Sequence, residues 1–224
     1  MSADQSSHQQ QSSHQQQSSR PHIDYDEIVK LVPPGSSVLD LGCGDGELLH
    51  RLIAAKQVRG RGVDIEESMI IESISRGISV FQGDLDEGLR DYATGSYEYV
   101  ILNQTLQATH RPLLVLEEML RVGKHAIVSF PNFGYFRVRL QFLLSGRMPV
   151  TRDLPYMWYN TPNIHLCTRK DFIDYCTDKG VTILNEIAIS KRGTISPLFA
   201  NWRATEMLFV LSGSRARNQA PYTL

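Results

Sequence analysis

The 224-residue chain lacks any excess of charge: Lys plus Arg number 23 against 24 Asp plus Glu, a formal net charge of -1. A protein built to grip a nucleic-acid backbone carries a clear basic surplus, so nucleic acid is set aside as a partner. Long apolar runs are missing too; none approaches the roughly 18–20 residues of a membrane span. The N-terminus has neither the charged start nor the apolar stretch of a secretory signal, so no membrane partner is expected. Cysteine is scarce. Cys43, Cys167 and Cys176 are too few for a disulfide framework and wrongly spaced for a zinc cage. No metal site is expected, and an odd cysteine count fits a reducing cytoplasm.

What is present is 42% hydrophobic and 21% charged residues, a globular composition in a chain long enough for a sizeable core. Residues 1–20 are rich in Gln, Ser and His, and Ser-Ser-His-Gln-Gln-Gln occurs at Ser6–Gln11 and again at Ser12–Gln17. With almost nothing to bury, this segment is expected to be a disordered tail. A flexible tail is also expected at 214–224, leaving 21–213 as a single domain.

Between the tails the pattern alternates. Helical periods run over 24–32, 47–56, 68–76, 112–122 and 168–179, with compact apolar runs at 37–41, 62–65, 78–81, 97–102 and 126–130. Pro112 and Gly123 bracket one helix, and Thr168 with Asp171 opens another as a capping box. Two long strands, 181–189 and 204–211, have only loop between them and should pair as an antiparallel hairpin at a sheet edge. Alternating strands and helices predict a mostly parallel sheet with helices on both faces.

The strongest local signal is Val38-Leu39-Asp40-Leu41-Gly42-Cys43-Gly44-Asp45-Gly46-Glu47, on the first strand-to-helix turn. Ligands bind such sheets at the carboxyl ends of the strands. The helix that follows offers free N–H groups to an anion. A dinucleotide fingerprint would need its third glycine at 47, where Glu47 stands, and no Gly-Lys-Ser/Thr follows for a nucleotide phosphate loop. Asp40 would repel a pyrophosphate but could hold an ammonium group. That combination favours S-adenosylmethionine, whose amino-acid end carries one ammonium and one carboxylate. Asp64 ends the second strand and could accept hydrogen bonds from ribose hydroxyls, with Glu66 as the lesser alternative. Asp84 ends the third strand, where it could meet an adenine amino group. Acids at three successive strand ends beside a glycine loop converge on ligand binding.

These residues resemble the class I S-adenosylmethionine-dependent methyltransferases over roughly 24–213. The resemblance implies a Rossmann-like, three-layer α/β/α fold with a seven-stranded sheet whose final strand is antiparallel. It also implies S-adenosylmethionine or S-adenosylhomocysteine as ligand. By position, Asp40, Gly42, Gly44 and Gly46 would hold the methionine part, Asp64 the ribose and Asp84 the adenine. Asn103 ends the fourth strand and would lie against the methyl-transfer position. It lacks the Pro-Pro-aromatic continuation common in enzymes that methylate amino groups.

The stretch from Gly146 to Cys167 is long, rich in proline and weakly periodic, the character of a lid or binding loop. It carries Tyr156, Trp158, Tyr159 and His165. His165 or Tyr159 could serve as a general base, but no second base or metal set accompanies them, so no catalytic residue is assigned. Arg137, Arg139, Arg147 and Arg152 gather around the segment and could bind an anionic substrate or an acidic partner.

Several stretches resemble the MetW family of bacterial methionine-biosynthesis proteins: Gly83–Leu89, Asn103–Gln107, Ser129–Asn132, Arg137–Gln141, Gly146–Thr151 and Tyr159–Thr168. The resemblance covers nearly all of the chain after Arg20. It implies a role beside MetX, the homoserine O-acyltransferase, as an S-adenosylmethionine-binding partner or regulator. The alternative is an active small-molecule methyltransferase. The partner reading expects an exposed surface on the helix near 133–144, where Phe136, Leu140, Phe142, Leu143 and Leu144 exceed what one buried face needs. The enzyme reading expects a closed pocket lined by Tyr156, Tyr159 and His165.

Overall fold

The structure, a computed structural model, describes residues 23–151, 154 and 156–212. The tails expected at 1–20 and 214–224 lie outside the described residues. The first half runs α1 (Ile23–Leu31), β1 (Ser37–Leu41), α2 (Glu47–Lys56), β2 (Arg59–Asp64), α3 (Glu67–Ser75), β3 (Val80–Gln82) and β4 (Tyr97–Asn103). The second half runs α4 (Pro112–Val122), β5 (Gly123–Pro131), α5 (Phe136–Ser145), α6 (Arg169–Asp178), β6 (Ile183–Ser190), β7 (Gly193–Ile195), α7 (Ala200–Arg203) and β8 (Glu206–Ser212).

All eight strands join one sheet in the order β3-β2-β1-β4-β5-β8-β6-β7. β1 to β5 pair in parallel. β8 runs antiparallel to both β5 and β6, and β7 antiparallel to β6. The mostly parallel α/β architecture and the antiparallel final strand are as the sequence leads one to expect. Two details differ. The sheet has eight strands rather than seven, because Gly193–Ile195 folds back on β6 with Ala188 opposite Ile195. Three residues carry too little alternation to register as a strand. The last strand is also not at the edge: β8 inserts between β5 and β6, and β7 and α7 occupy the stretch expected to be loop.

Successive side chains on a strand point to opposite faces, and here both faces are covered. Leu39, Val100, Leu102 and Phe130 pack with Leu116 and Met119 of α4 and Phe172 of α6. Val38, Ile101 and Ile127 pack on the other side with Ile28 of α1 and Leu48, Leu49 and Leu52 of α2. That is the three-layer arrangement. The first side is anchored by rings: Phe172 lies 4.7 Å from Phe209 and 5.0 Å from Phe130, centroid to centroid. At the start of α6, Thr168 and Asp171 form the expected capping box.

This topology positions the site. From β1 the chain moves outward to β2 and β3, then returns to lay β4 on the other flank of β1. Strand order reverses between β1 and β4, and in open α/β sheets ligands bind outside the carboxyl ends of the strands at such a switch point.

Candidate cofactor cleft

The loop from β1 to α2 takes its shape from three glycines in the left-handed region, Gly42 (φ 69°), Gly44 (φ 54°) and Gly46 (φ 77°). L-residues enter that region at a cost. Two of the three also leave no room for a side chain. A Cβ on Gly42 would stand 2.6 Å from Thr105 Oγ1, and one on Gly46 2.6 Å from Ser73 Oγ. A Cβ on Gly44 would meet nothing within 4 Å. Gly44 is therefore the open side of the loop, where a ligand can approach the backbone closely.

Asp64, at the end of β2, holds that open glycine. Its carboxylate accepts the Gly44 N–H at 2.7 Å and the Glu66 N–H at 3.0 Å. Both oxygens are engaged, yet each keeps a lone pair for a further donor. Ser73 Oγ donates to the Gly44 carbonyl at 2.8 Å, tying α3 to the loop.

Asp40 is only 2% exposed. Among the described residues it has no hydrogen-bond donor and no cation. Burial, with the Asp64 carboxylate facing it, pushes its carboxyl up to about 8. The arginines on the flanking helices are engaged elsewhere: Arg51 with Glu47 and Asp26, Arg76 with Asp45 and Glu72. The cleft is thus an acidic pit. Cys43, inside the loop, is buried, and a Cβ on Gly62 would meet its sulfur at 2.5 Å. Burial and the charges of Asp40 and Asp64 raise its thiol to about 12, so it fills space and does not react.

Asn103, at the end of β4, bridges two elements. Its side-chain amide donates to Asp24 Oδ2 at 2.9 Å, and its carbonyl oxygen accepts from the Ser129 hydroxyl. Asp24 is buried and opens α1, so this contact lays α1 across the cleft. Tyr25 follows. Its phenol is held well above the ordinary tyrosine range by burial and by Asp24, Asp40, Asp45 and Glu47. Neither Asp24 nor Tyr25 is visible as a site residue in the sequence. They arrive by a contact spanning 79 residues, and no local motif announces it.

Asp84 stays apart from this group. It is exposed, and its carboxylate accepts the Asp86 N–H at 2.8 Å, capping its own short turn after β3. It sits at the same end of the sheet as Asp64, since Gln82 pairs with Asp64 and Gly83 N–H donates to the Asp64 carbonyl.

The long segment after α5 crosses the carboxyl end of the sheet. The N–H groups of Ile164 and His165 donate to the Gln107 carbonyl at 2.7 and 3.0 Å. Tyr159 and His165 are exposed and Tyr156 half-buried, so the three do not form a closed wall. Gln107 was not foreseen as a site residue. It is 6% exposed, donates to the Gln104 carbonyl at 2.6 Å, and leaves its own Oε1 buried without a partner.

A family model described as "Methionine biosynthesis protein MetW" matches residues 22–211. The chain belongs to the MetW family. It is 39% identical over 175 residues to the bifunctional methionine biosynthesis protein MetXA/MetW of Rhodopirellula baltica, covering 74% of this chain and 28% of that one. It therefore spans well under a third of that relative's length. Among solved structures it is similar to an S-adenosylmethionine-dependent methyltransferase from Mesorhizobium loti, with TM-score 0.63 at 15% identity over 85% of this chain and 97% of that one. It is also similar to the [4+2]-cyclase SpnF, with TM-score 0.61 at 16% identity over 84% of this chain and 80% of that one. At such identities the likeness is one of fold, and a methyltransferase and a cyclase sharing it show that the fold does not choose the reaction.

No helix among the described residues is long and apolar enough to cross a membrane, and no metal-ligating cluster occurs among them.

Proposed function

We propose that this MetW-family chain binds S-adenosylmethionine, or S-adenosylhomocysteine, and serves as a partner or regulator of the homoserine O-acyltransferase MetX. The observation that carries the ligand reading is Asp40: a deeply buried carboxylate with the Asp64 charge as neighbour and, among the described residues, no cation of its own, at the end of the strand that leads into the open Gly44 loop. A buried charge is costly unless it is paired. A ligand with an ammonium group supplies the missing partner. Asp40, Gly42, Gly44 and Gly46 take the methionine end. Asp64 offers its free lone pairs to the ribose hydroxyls, Asp84 stands at the adenine edge, and Asn103 lies by the sulfonium.

Calorimetric titration with S-adenosylmethionine and S-adenosylhomocysteine tests this, with Asp64→Ala as control. Binding by the wild type that is lost in the variant supports the assignment. No heat from either ligand sinks it.

Support for the partner comes from the relative whose name joins MetXA and MetW in one chain. The exposed Tyr159 and His165 weaken the alternative of a small-molecule methyltransferase, which needs a closed substrate pocket. Acyltransferase activity of MetX, measured with and without this chain and with and without S-adenosylmethionine, separates the roles. A change with the chain alone indicates a partner, and a further change with ligand indicates a sensor. The setting proposed is the cytoplasm, where Cys43, Cys167 and Cys176 remain free thiols.

A further inference from the structure

We infer that the outer face of α5, continued by Trp202 of α7, is the surface that docks the MetX acyltransferase; this rests on the partnership proposed above. On α5, Phe136, Leu140, Leu143 and Leu144 fall at i, i+4, i+7 and i+8, the stripe of a core-facing helix. Yet Leu143 is 79% exposed and Leu144 76%, and Val138 is the one buried residue of the helix. The stripe does not stop at the helix. Phe136 stacks on Trp202 at 6.0 Å, Arg139 lies over the same indole at 5.6 Å, and Leu198 just before α7 is 82% exposed. A continuous apolar strip rimmed by polar groups marks an interaction site.

Charge selects the occupant. From Asn132 to Thr151 the chain carries Arg137, Arg139 and Arg147 and no acid. A twofold contact between copies sets the same patch against itself, which would bring these arginines together, and like charges oppose that. The fitting partner has an apolar patch edged by carboxylates. The Rhodopirellula relative is named for MetXA and MetW together in one chain, and joining two partners covalently raises their effective concentration.

The test titrates the intact chain against purified MetX by calorimetry. Leu143→Glu/Leu144→Glu and, separately, Leu198→Glu are compared with Ile71→Glu, an exposed apolar position on α3 away from this face. The α5 double variant is expected to weaken binding at least about tenfold, the loss typical of a truncated interface anchor. Leu198→Glu should weaken it less, and Ile71→Glu should leave it unchanged. Melting curves superimposable on wild type establish that the variants fold. Unchanged affinity in both face variants overturns this surface while leaving the partnership intact. No binding by the wild type overturns the partnership itself. The surface assignment also falls if the face variants abolish a self-dimer of the wild type, or its sedimentation with anionic vesicles, in place of MetX binding.

Discussion

Two apolar patterns of the same kind end differently in this molecule. On α2, Leu48, Leu49 and Leu52 repeat at helical spacing and are buried against the sheet. On α5, Leu140, Leu143 and Leu144 repeat at helical spacing and face outward. The residue types are the same; what differs is whether the fold brings something over them. Periodicity reports that a face needs covering and is silent on what covers it. Where the chain supplies the cover, the pattern is core. Where it does not, the pattern points beyond the chain.

Predictions that break this comparison rank by how completely a group is enclosed. Phe209→Ala empties a site ringed by Phe130 and Phe172. It should cost about 3–5 kcal/mol, as core aromatic truncations do. Chemical denaturation with an unchanged m-value would register it. Gly46→Ala comes next, combining a left-handed backbone with a Cβ 2.6 Å from Ser73 Oγ. A loss of roughly 2 kcal/mol is expected, or about 4–8 °C in melting temperature. Gly44→Ala shares the strain without the clash, so it should cost only about 1 kcal/mol while sharply reducing ligand binding. Equal losses at the two glycines would refute the division into a packed side and an open side.

Asp40 gives a pH test. Its folded value of about 8 lies above the ordinary 3.8. The folded chain therefore keeps a proton that the unfolded chain has released between those values. Stability contributed by Asp40 is full below about pH 4 and declines as pH rises through 8. Asp40→Asn should flatten that decline. His125 acts oppositely, since burial and Lys124 lower its ring, so the wild-type-minus-variant difference is the quantity to read. A cationic ligand should expel the Asp40 proton, making affinity climb as pH rises toward 8 and calorimetric heats depend on the buffer. At the bottom of the scale, Leu143→Ser on the α5 face should change stability by no more than about 0.5 kcal/mol. A loss of 2 kcal/mol there would show that the face is covered after all.

What was legible in the sequence was local. The bounds of α2 and α4 follow from their apolar period, with Pro112 and Gly123 as punctuation for the latter. The capping box of Thr168 and Asp171 found α6. The glycine loop and the acids at the ends of β1 and β2 were visible because a strand, its terminal acid and its turn are neighbours in the chain. What escaped was short or assembled at a distance. β7 and α7 have three and four residues, too few for a period. Asp24 and Tyr25 enter the cleft through Asn103, and Gln107 through the segment that crosses it. The insertion of β8 between β5 and β6 is a property of the whole sheet, beyond any window of sequence.

That insertion bears on how the chain is made. β5 and β6 share no hydrogen bonds; each pairs with β8, which is synthesised after both. From the emergence of Pro131 until Glu206 and the residues after it follow, β5 shows an unpaired edge, Ala126 to Phe130, apolar but for Ser129. Such edges invite pairing with other chains. A nascent or truncated chain ending before β8 is thus the aggregation-prone form, and the final strand is the clasp that closes the sheet against it.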